Sequence, residues 1–291
     1  MVYIIILTWN NVNVTVACLE SVLGLTYRTY RVMVVDNGSE DGTVAVVRER
    51  FPSVAVIEND RNLGFAAGCN VGIRHALAAG AAYVFLLNND TIVPPDLLDV
   101  MVAQAEALPD VGILAPMLRY LDDPTRLWFA GSRRHWLTLE SVEFGPLGPR
   151  QQTDGAERRA VDYIFGTAML IPRRVLEDVG LFDEAFFLYY EDMDLCLRIQ
   201  AAGYRLYHIP DVSVQHQISA STRSVSAMRY YHKARASVIF FRKHAGIARR
   251  FVIVPYRLGS AARTVTRLAR HQEWTAIRAY LRGLRDGFLA P

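Results

Sequence analysis

The sequence predicts an α/β protein with a doubly wound, mainly parallel sheet. Over the first 120 residues, short apolar, β-branched runs alternate with amphipathic segments, and the connections between them are only a few residues long. Polar clusters fall at the carboxyl ends of those runs, which is where such sheets bind ligands. Residues 2–7, 31–35, 54–58, 83–87 and 113–117 read as strands, because they are apolar on both faces and are ended by polar residues. Residues 14–23, 42–50, 66–79 and 95–107 read as helices; Asp41 is placed to cap the second, and Pro94 and Pro95 to open the fourth. Residues 122–160 contain Pro124, Pro146, Pro149 and a polar stretch over 151–159, the pattern of a mobile hairpin and loop. Strand character returns over 161–171. A helix over 191–202 places Leu195, Ile199 and Ala202 on one face, and 204–209 and 212–215 are short strands. Beyond Thr222 the chain reads as helical and Arg-rich, and no internal repeat is present.

Composition limits the function classes. Of 291 residues, 52% are hydrophobic, enough for a sizeable core and too many for a disordered chain. The net charge of +3 conceals an asymmetry: from Arg223 onward there are 15 Lys or Arg and two acids, Glu273 and Asp286, whereas residues 1–222 hold 17 basic and 27 acidic side chains. A split of this size suggests that the tail faces an anionic surface, either membrane or nucleic acid. Cys18, Cys69 and Cys196 have no metal-ligand spacing and read as small buried hydrophobes in a reducing compartment. The N-terminus lacks a basic signal-peptide region, and no apolar run reaches the ~18 residues of a spanning helix. The expectation is a cytoplasmic protein, soluble or peripheral on the inner face of the cell membrane.

The polar clusters carry the chemistry. The first strand ends in Thr8, Trp9 and Asn10, and the second in Asp36, Asn37, Gly38 and Ser39. Asp36, at a sheet mouth, can accept a hydrogen bond from a nucleobase ring N–H, although 36–42 also reads as a turn and helix cap. Asn62, Leu63 and Gly64 open the third helix, where glycine lets backbone approach a ligand; Gly64 and Gly68 do not fit a dinucleotide fingerprint. The fourth strand delivers Asn88, Asn89 and Asp90. Asp90 suits a hard cation such as Mg²⁺ or Mn²⁺, but one carboxylate holds such an ion poorly unless a substrate diphosphate completes its shell.

These pieces, in this order, resemble family 2 inverting glycosyltransferases, in particular the branch containing rhamnosyltransferases of cell-envelope glycans. Also matching are Gly166 through Met169, Tyr189 through Arg198, and Val214, Gln215 and His216, so that the resemblance covers roughly residues 2–245. It implies the GT-A nucleotide-sugar fold: a mixed, mainly parallel sheet with helices on both faces. Residues 1–222 would form the catalytic domain and 223–291 a basic helical extension packed on the core, the membrane surface or both. By the family pattern Thr8, Asn10, Asp36, Asn62, Gly64, Asn88, Asn89, Gly166 and Arg235 bind a dTDP- or UDP-linked sugar donor. Asp90 and His216 hold the divalent metal, and Asp192, with Glu191 beside it, is the catalytic base. Two departures stand out. Asn88 replaces the first Asp of the family's DxD, and Arg235 is followed by Ala236 where the family often has Asn.

The chemistry suits these groups. Displacement at an anomeric carbon needs the acceptor hydroxyl deprotonated by a carboxylate, and the departing diphosphate needs positive charge, from the metal and from side chains such as Lys233 or Arg235. Asp194 and Arg198, four apart, read as a structural pair. The aromatic run from Phe186 to Tyr190 reads either as acceptor-site lining or as core. The acceptor implied is a cell-envelope glycan or a polyprenyl-diphosphate-linked sugar. The Arg-rich tail suits an anionic membrane surface better than nucleic acid, for which no motif is present. Homo-oligomerisation is left open. A nucleotidyltransferase of similar fold is the rival reading, but it calls for a Gly-rich basic loop after the first strand, where this chain has Trp9, Asn10, Asn11 and Val12.

Overall fold

The computed structural model describes residues 1–139, 141–143, 159–217 and 226–290; most of the polar stretch at 151–159 and the boundary at 222/223 lie outside them. Strands β1 (Val2–Thr8), β2 (Tyr30–Asp36), β3 (Ala55–Glu58) and β4 (Tyr83–Asn88) alternate with helices α1 (Val12–Leu23), α2 (Thr43–Arg50) and α3 (Gly64–Ala78). There follow β5 (Thr91–Ile92), α4 (Leu97–Glu106), β6 (Val111–Tyr120), β7 (Leu127–Phe129), and a hairpin of β8 (Ser132–Arg134) and β9 (Ser141–Glu143). Next come β10 (Arg159–Val161), β11 (Ala168–Pro172), α5 (Arg173–Val179), α6 (Glu191–Ala201) and β12 (Arg205–His216). Helices α7 (Ser226–His244), α8 (Ile247–Arg270) and α9 (Trp274–Leu289) complete the described chain.

Among the described residues one mixed sheet runs β10-β12-β6-β11-β4-β1-β2-β3, with β5 added to β12 and β7 to β6. The half built from β1 to β4 is parallel, as the alternation predicts. Val2, Ile4, Ile5 and Ile6 are all buried, because helices cover both faces of the central strand. Asp41 serves two helices at once, accepting the Thr43 N–H of α2 (3.1 Å) and the Val12 N–H of α1 (3.0 Å). The three cysteines are buried thiols, and burial pushes Cys18 up to about 12.

Two strands differ from expectation. The run over 161–171 is two elements, because β10 pairs with β12 at the sheet edge while β11 lies antiparallel between β4 and β6. The chain must leave the ladder between them to cross that distance. Conversely, 204–209 and 212–215 form one strand, β12, with its register shifted between Ile209 and Ser213, around Pro210, which has no N–H for the ladder.

The C-terminal helices pack on the sheet domain through Phe186 and the α7 residues Ile239 and Phe240. Asp194, fully buried on α6, ties the two parts together by accepting from Arg198 (2.8 Å), Lys243 (2.8 Å) and His244 (2.7 Å). Burial pushes its carboxyl up, but these three partners outweigh that and hold it at about 2. On α9, Gly283 and Gly287 let the helix lie against the α7 backbone; a Cβ on Gly283 would strike the Tyr231 carbonyl, and one on Gly287 would sit 2.7 Å from that of Arg235. Helix α8 leaves an apolar stripe in solvent, Ile247, Phe251, Val254 and Leu258, 52–79% exposed. Among the described residues no helix is long and apolar enough to cross a membrane.

Candidate active site

The parallel register places Thr8 and Asp36 side by side at the mouth of β1 and β2. Asp36 is buried; its Oδ2 accepts the Ser39 N–H (2.8 Å), while Oδ1 is buried with no partner. An unpartnered carboxylate oxygen at a sheet mouth is suited to a ligand N–H. Thr8 is equally buried, with its hydroxyl 2.9 Å from that of Thr15 and accepting from the Asn89 amide at 3.2 Å. Asn89 also donates to Thr15 (3.0 Å), so its amide NH₂ is spent inside the protein, bracing the sheet mouth. Asn10 joins the first two loops: its backbone N–H donates to the Ser39 hydroxyl (2.7 Å), and its Oδ1 accepts the Glu40 N–H (2.9 Å). It and Asn11 lie in the left-handed region, which Asn tolerates.

At the start of α3, Asn62 Oδ1 accepts the Gly64 N–H (2.8 Å), and the Asn37 amide donates to the Gly64 carbonyl (3.0 Å). Gly64 has φ +83°, and a Cβ there would collide with Phe187. The close approach serves a contact across the site, where the Phe65 N–H donates to the Phe187 carbonyl at 2.7 Å.

The structure brings Asp90 and His216 together. Strand β5 pairs with the end of β12, with Thr91 opposite His216, and the Gln217 N–H donates to the Asp90 carbonyl (2.8 Å). Asp90 Oδ1 and His216 Nε2 are 3.0 Å apart but not aligned as a hydrogen bond, and Asp90 Oδ1 is buried without a partner. Trp128 packs against the imidazole, with ring centroids 4.6 Å apart. An oxygen and a nitrogen donor this close, the oxygen without a hydrogen-bond partner, fit a divalent cation. Among the described residues no cluster of three or more such ligands exists, so the remaining ligands would come from substrate or water. The Asn88 N–H, by contrast, is held by the Thr167 carbonyl (2.9 Å), which binds this corner to the segment leading into β11.

Glu191 and Asp192 begin α6 and are both buried. Tyr189 and Tyr190, just before them, have φ of 73° and 68°. Two successive left-handed tyrosines represent strain of about 1–3 kcal/mol each, held by the surroundings. Tyr190 is pinned by Phe240 and Phe241 of α7. Asp192 Oδ2 accepts the Tyr163 hydroxyl (2.9 Å) and the Gly166 N–H (3.2 Å), and Oδ1 the Met193 N–H (2.8 Å). Burial nonetheless raises its carboxyl above the usual range despite those donors. Burial, then the neighbouring Asp192 charge, raises Glu191 much further, and Glu191 Oε2 has no partner.

Arg235 does not join the sheet-mouth residues; its guanidinium donates to the Ala185 carbonyl (2.7 Å) on the loop before α6. Of the aromatic run, Phe186 is core and Phe187 stacks on His232 of α7, centroids 4.5 Å apart. The sequence reading missed Tyr163, Thr15 and the Phe187 carbonyl. Tyr163 stands two residues after β10, and nothing local marks its hydroxyl as aimed at a residue 29 positions away.

The fold is that of GT-A glycosyltransferases. It resembles GalNAc-T7 solved with UDP, GalNAc and Mn²⁺ (TM-score 0.61, 16% identity, 84% of this chain and 52% of that one). It also resembles a mannosyltransferase from Pyrobaculum calidifontis solved with GDP-Man and Mn²⁺ (TM-score 0.60, 20% identity, 98% of this chain and 85% of that one). The chain belongs to glycosyl transferase family 2, whose profile matches residues 3–180. Among its curated relatives is an N-acetylglucosaminyl-diphospho-decaprenol L-rhamnosyltransferase of Mycobacterium tuberculosis, 28% identical over 241 residues, covering 76% of this chain and 78% of the relative. Another is a dTDP-rhamnosyl transferase of Shigella flexneri, 23% identical over 256 residues, covering 84% of this chain and 80% of the relative.

Proposed function

We propose that this glycosyltransferase is inverting and metal-dependent, moving rhamnose from a dTDP-linked donor to a polyprenyl-diphosphate-linked sugar at the inner face of the membrane. The observation that carries it is the convergence, at one sheet mouth, of two buried carboxylate oxygens without partners, Asp36 Oδ1 and Asp90 Oδ1. The first suits a base N–H, and the second, with His216, a cation. The two rhamnosyltransferase relatives support the choice of sugar, and the first also the lipid carrier. The exposed α8 stripe, flanked by Arg249, Arg250 and Arg257, supports a peripheral place on an anionic bilayer.

The protein's own groups divide the work. Thr8 and Asp36 orient the nucleoside, with Asn62 and Gly64 shaping the far wall. Asp90 and His216 would hold Mg²⁺ or Mn²⁺, whose charge offsets that developing on the leaving diphosphate. Asp192 takes the proton of the acceptor hydroxyl as its oxygen bonds to the anomeric carbon and the bond from that carbon to diphosphate breaks, inverting the configuration. Three donors favour the charged form of Asp192, whereas Glu191 has an orphaned oxygen, so the pair's negative charge rests on Asp192.

A thermal-shift panel of dTDP-rhamnose, UDP-sugars and GDP-sugars, with and without Mn²⁺, tests this reading. Stabilisation of about 2.7 kcal/mol is expected at 100 times the Kd of a true donor. It should require the metal and be largest for dTDP-rhamnose. Stabilisation by no nucleotide sugar would overturn the reading.

A further inference from the structure

Helices α7, α8 and α9 enclose an open groove of about 690 Å³ that the transfer chemistry does not use. Its floor and walls are apolar, formed by Val238, Phe241, Val254, Leu258, Leu284 and Phe288. Its rim is cationic, with Arg242, Arg250 and Arg257, while Lys243 at one end is paired with Asp183 (2.5 Å) and Asp194 (2.8 Å). The Arg242 guanidinium donates to the carbonyls of Phe288 and Ala290 (both 2.8 Å), and Arg250 to that of Ala245 (3.0 Å). These acceptors are neutral, so the hydrogen bonds fix the guanidinium groups without cancelling their charge. One end of the groove reaches Asp183 and Ala185, on the loop that leads into α6. Lys243 at that end contacts Asp194, in the same first helical turn as Asp192.

We infer that this groove binds the isoprenoid chain of the diphosphate-linked acceptor, guiding its sugar toward Asp192; this deepens the reading above and rests on it. An apolar trough with a cationic rim complements a molecule that is greasy along its length and anionic at one end. A second copy of this chain is a poorer occupant, because an isologous contact would set the same cations against each other. The groove also opens onto the exposed stripe, since Val254 and Leu258 belong to both, so a chain leaving it runs directly into a bilayer.

The test uses the full chain, with farnesyl diphosphate as probe and inorganic diphosphate as the head-group control, read by thermal shift. Val254→Glu and Leu258→Glu change side chains that are more than half exposed, so neither strains the fold. Farnesyl diphosphate is expected to bind roughly tenfold or more tightly than inorganic diphosphate. Both variants should erase that difference while keeping the stabilisation by nucleotide sugar. Equal binding of the two probes, or binding indifferent to both variants, would overturn the groove assignment. So would self-association of the wild type that either variant abolishes, since the groove would then be an interface between copies. Absence of any nucleotide-sugar effect in the same samples would count against the donor chemistry instead.

Discussion

Glu191 and Asp192 are adjacent and both buried, yet their surroundings differ: three donors meet Asp192, whereas Glu191 Oε2 has no partner. Replacing Asp192 by Asn should lower the transfer rate by ~10²–10⁴ while nucleotide binding survives. Turnover within a few-fold of wild type would remove Asp192 from its role. Because burial raises the Asp192 carboxyl, the rate should fall as pH drops through a value above the ordinary carboxylate range. Tyr163→Phe deletes one of the donors that hold that carboxyl down, so the acid limb should move to higher pH, with less change in the rate at alkaline pH. A purely structural Tyr163 would lower the rate equally at every pH. Single residues were legible where a strand delivers them to the sheet mouth, as for Asp36 and Asp90. Tyr163 was not, because its partner is far away in sequence and the segment holding it looks like ordinary strand.

At the scale of elements, close packing of backbone decides which substitutions are tolerated. Gly283→Val would force α9 away from the Tyr231 carbonyl on α7, at about 1–3 kcal/mol, readable as a lower melting temperature. The first four strands and their helices were legible because each is a complete sequence-local unit: an apolar run, a polar end, an amphipathic return. The break between β10 and β11, and the insertion of β11 antiparallel between β4 and β6, were not. Sheet neighbours at that point are chosen by long-range pairing, and an apolar run carries no mark of its direction. The meeting of β5 with β12, which brings His216 to Asp90, was legible only through family resemblance.

For the whole molecule, the acidic body and basic tail are joined through Asp194, whose three partners, Arg198, Lys243 and His244, come from both α6 and α7. Asp194→Asn should destabilise the protein by about 3–5 kcal/mol, the usual result of breaking a buried pair, in a denaturant titration. Acid stability depends on a buried histidine. His208, buried edge-on to Phe129, is pushed down to about 3 by burial, so it folds neutral. A lowered histidine contributes stability that is fully present above its unfolded value near 6.5 and is lost as pH falls toward the folded value. Wild type should therefore lose stability relative to His208→Leu by about 1.4 kcal/mol per pH unit between 6.5 and the folded value of about 3. Finally, the hydrogen bond from Phe65 to Phe187 means that the glycine turn at Gly64, proposed to meet the donor, and the loop leading into α6, proposed to meet the acceptor, are not independent bodies. Filling one fixes part of the other, so the two substrates share a linkage free energy. Donor should raise acceptor affinity by the same factor as acceptor raises donor affinity, which titrations of each substrate with and without the other would check.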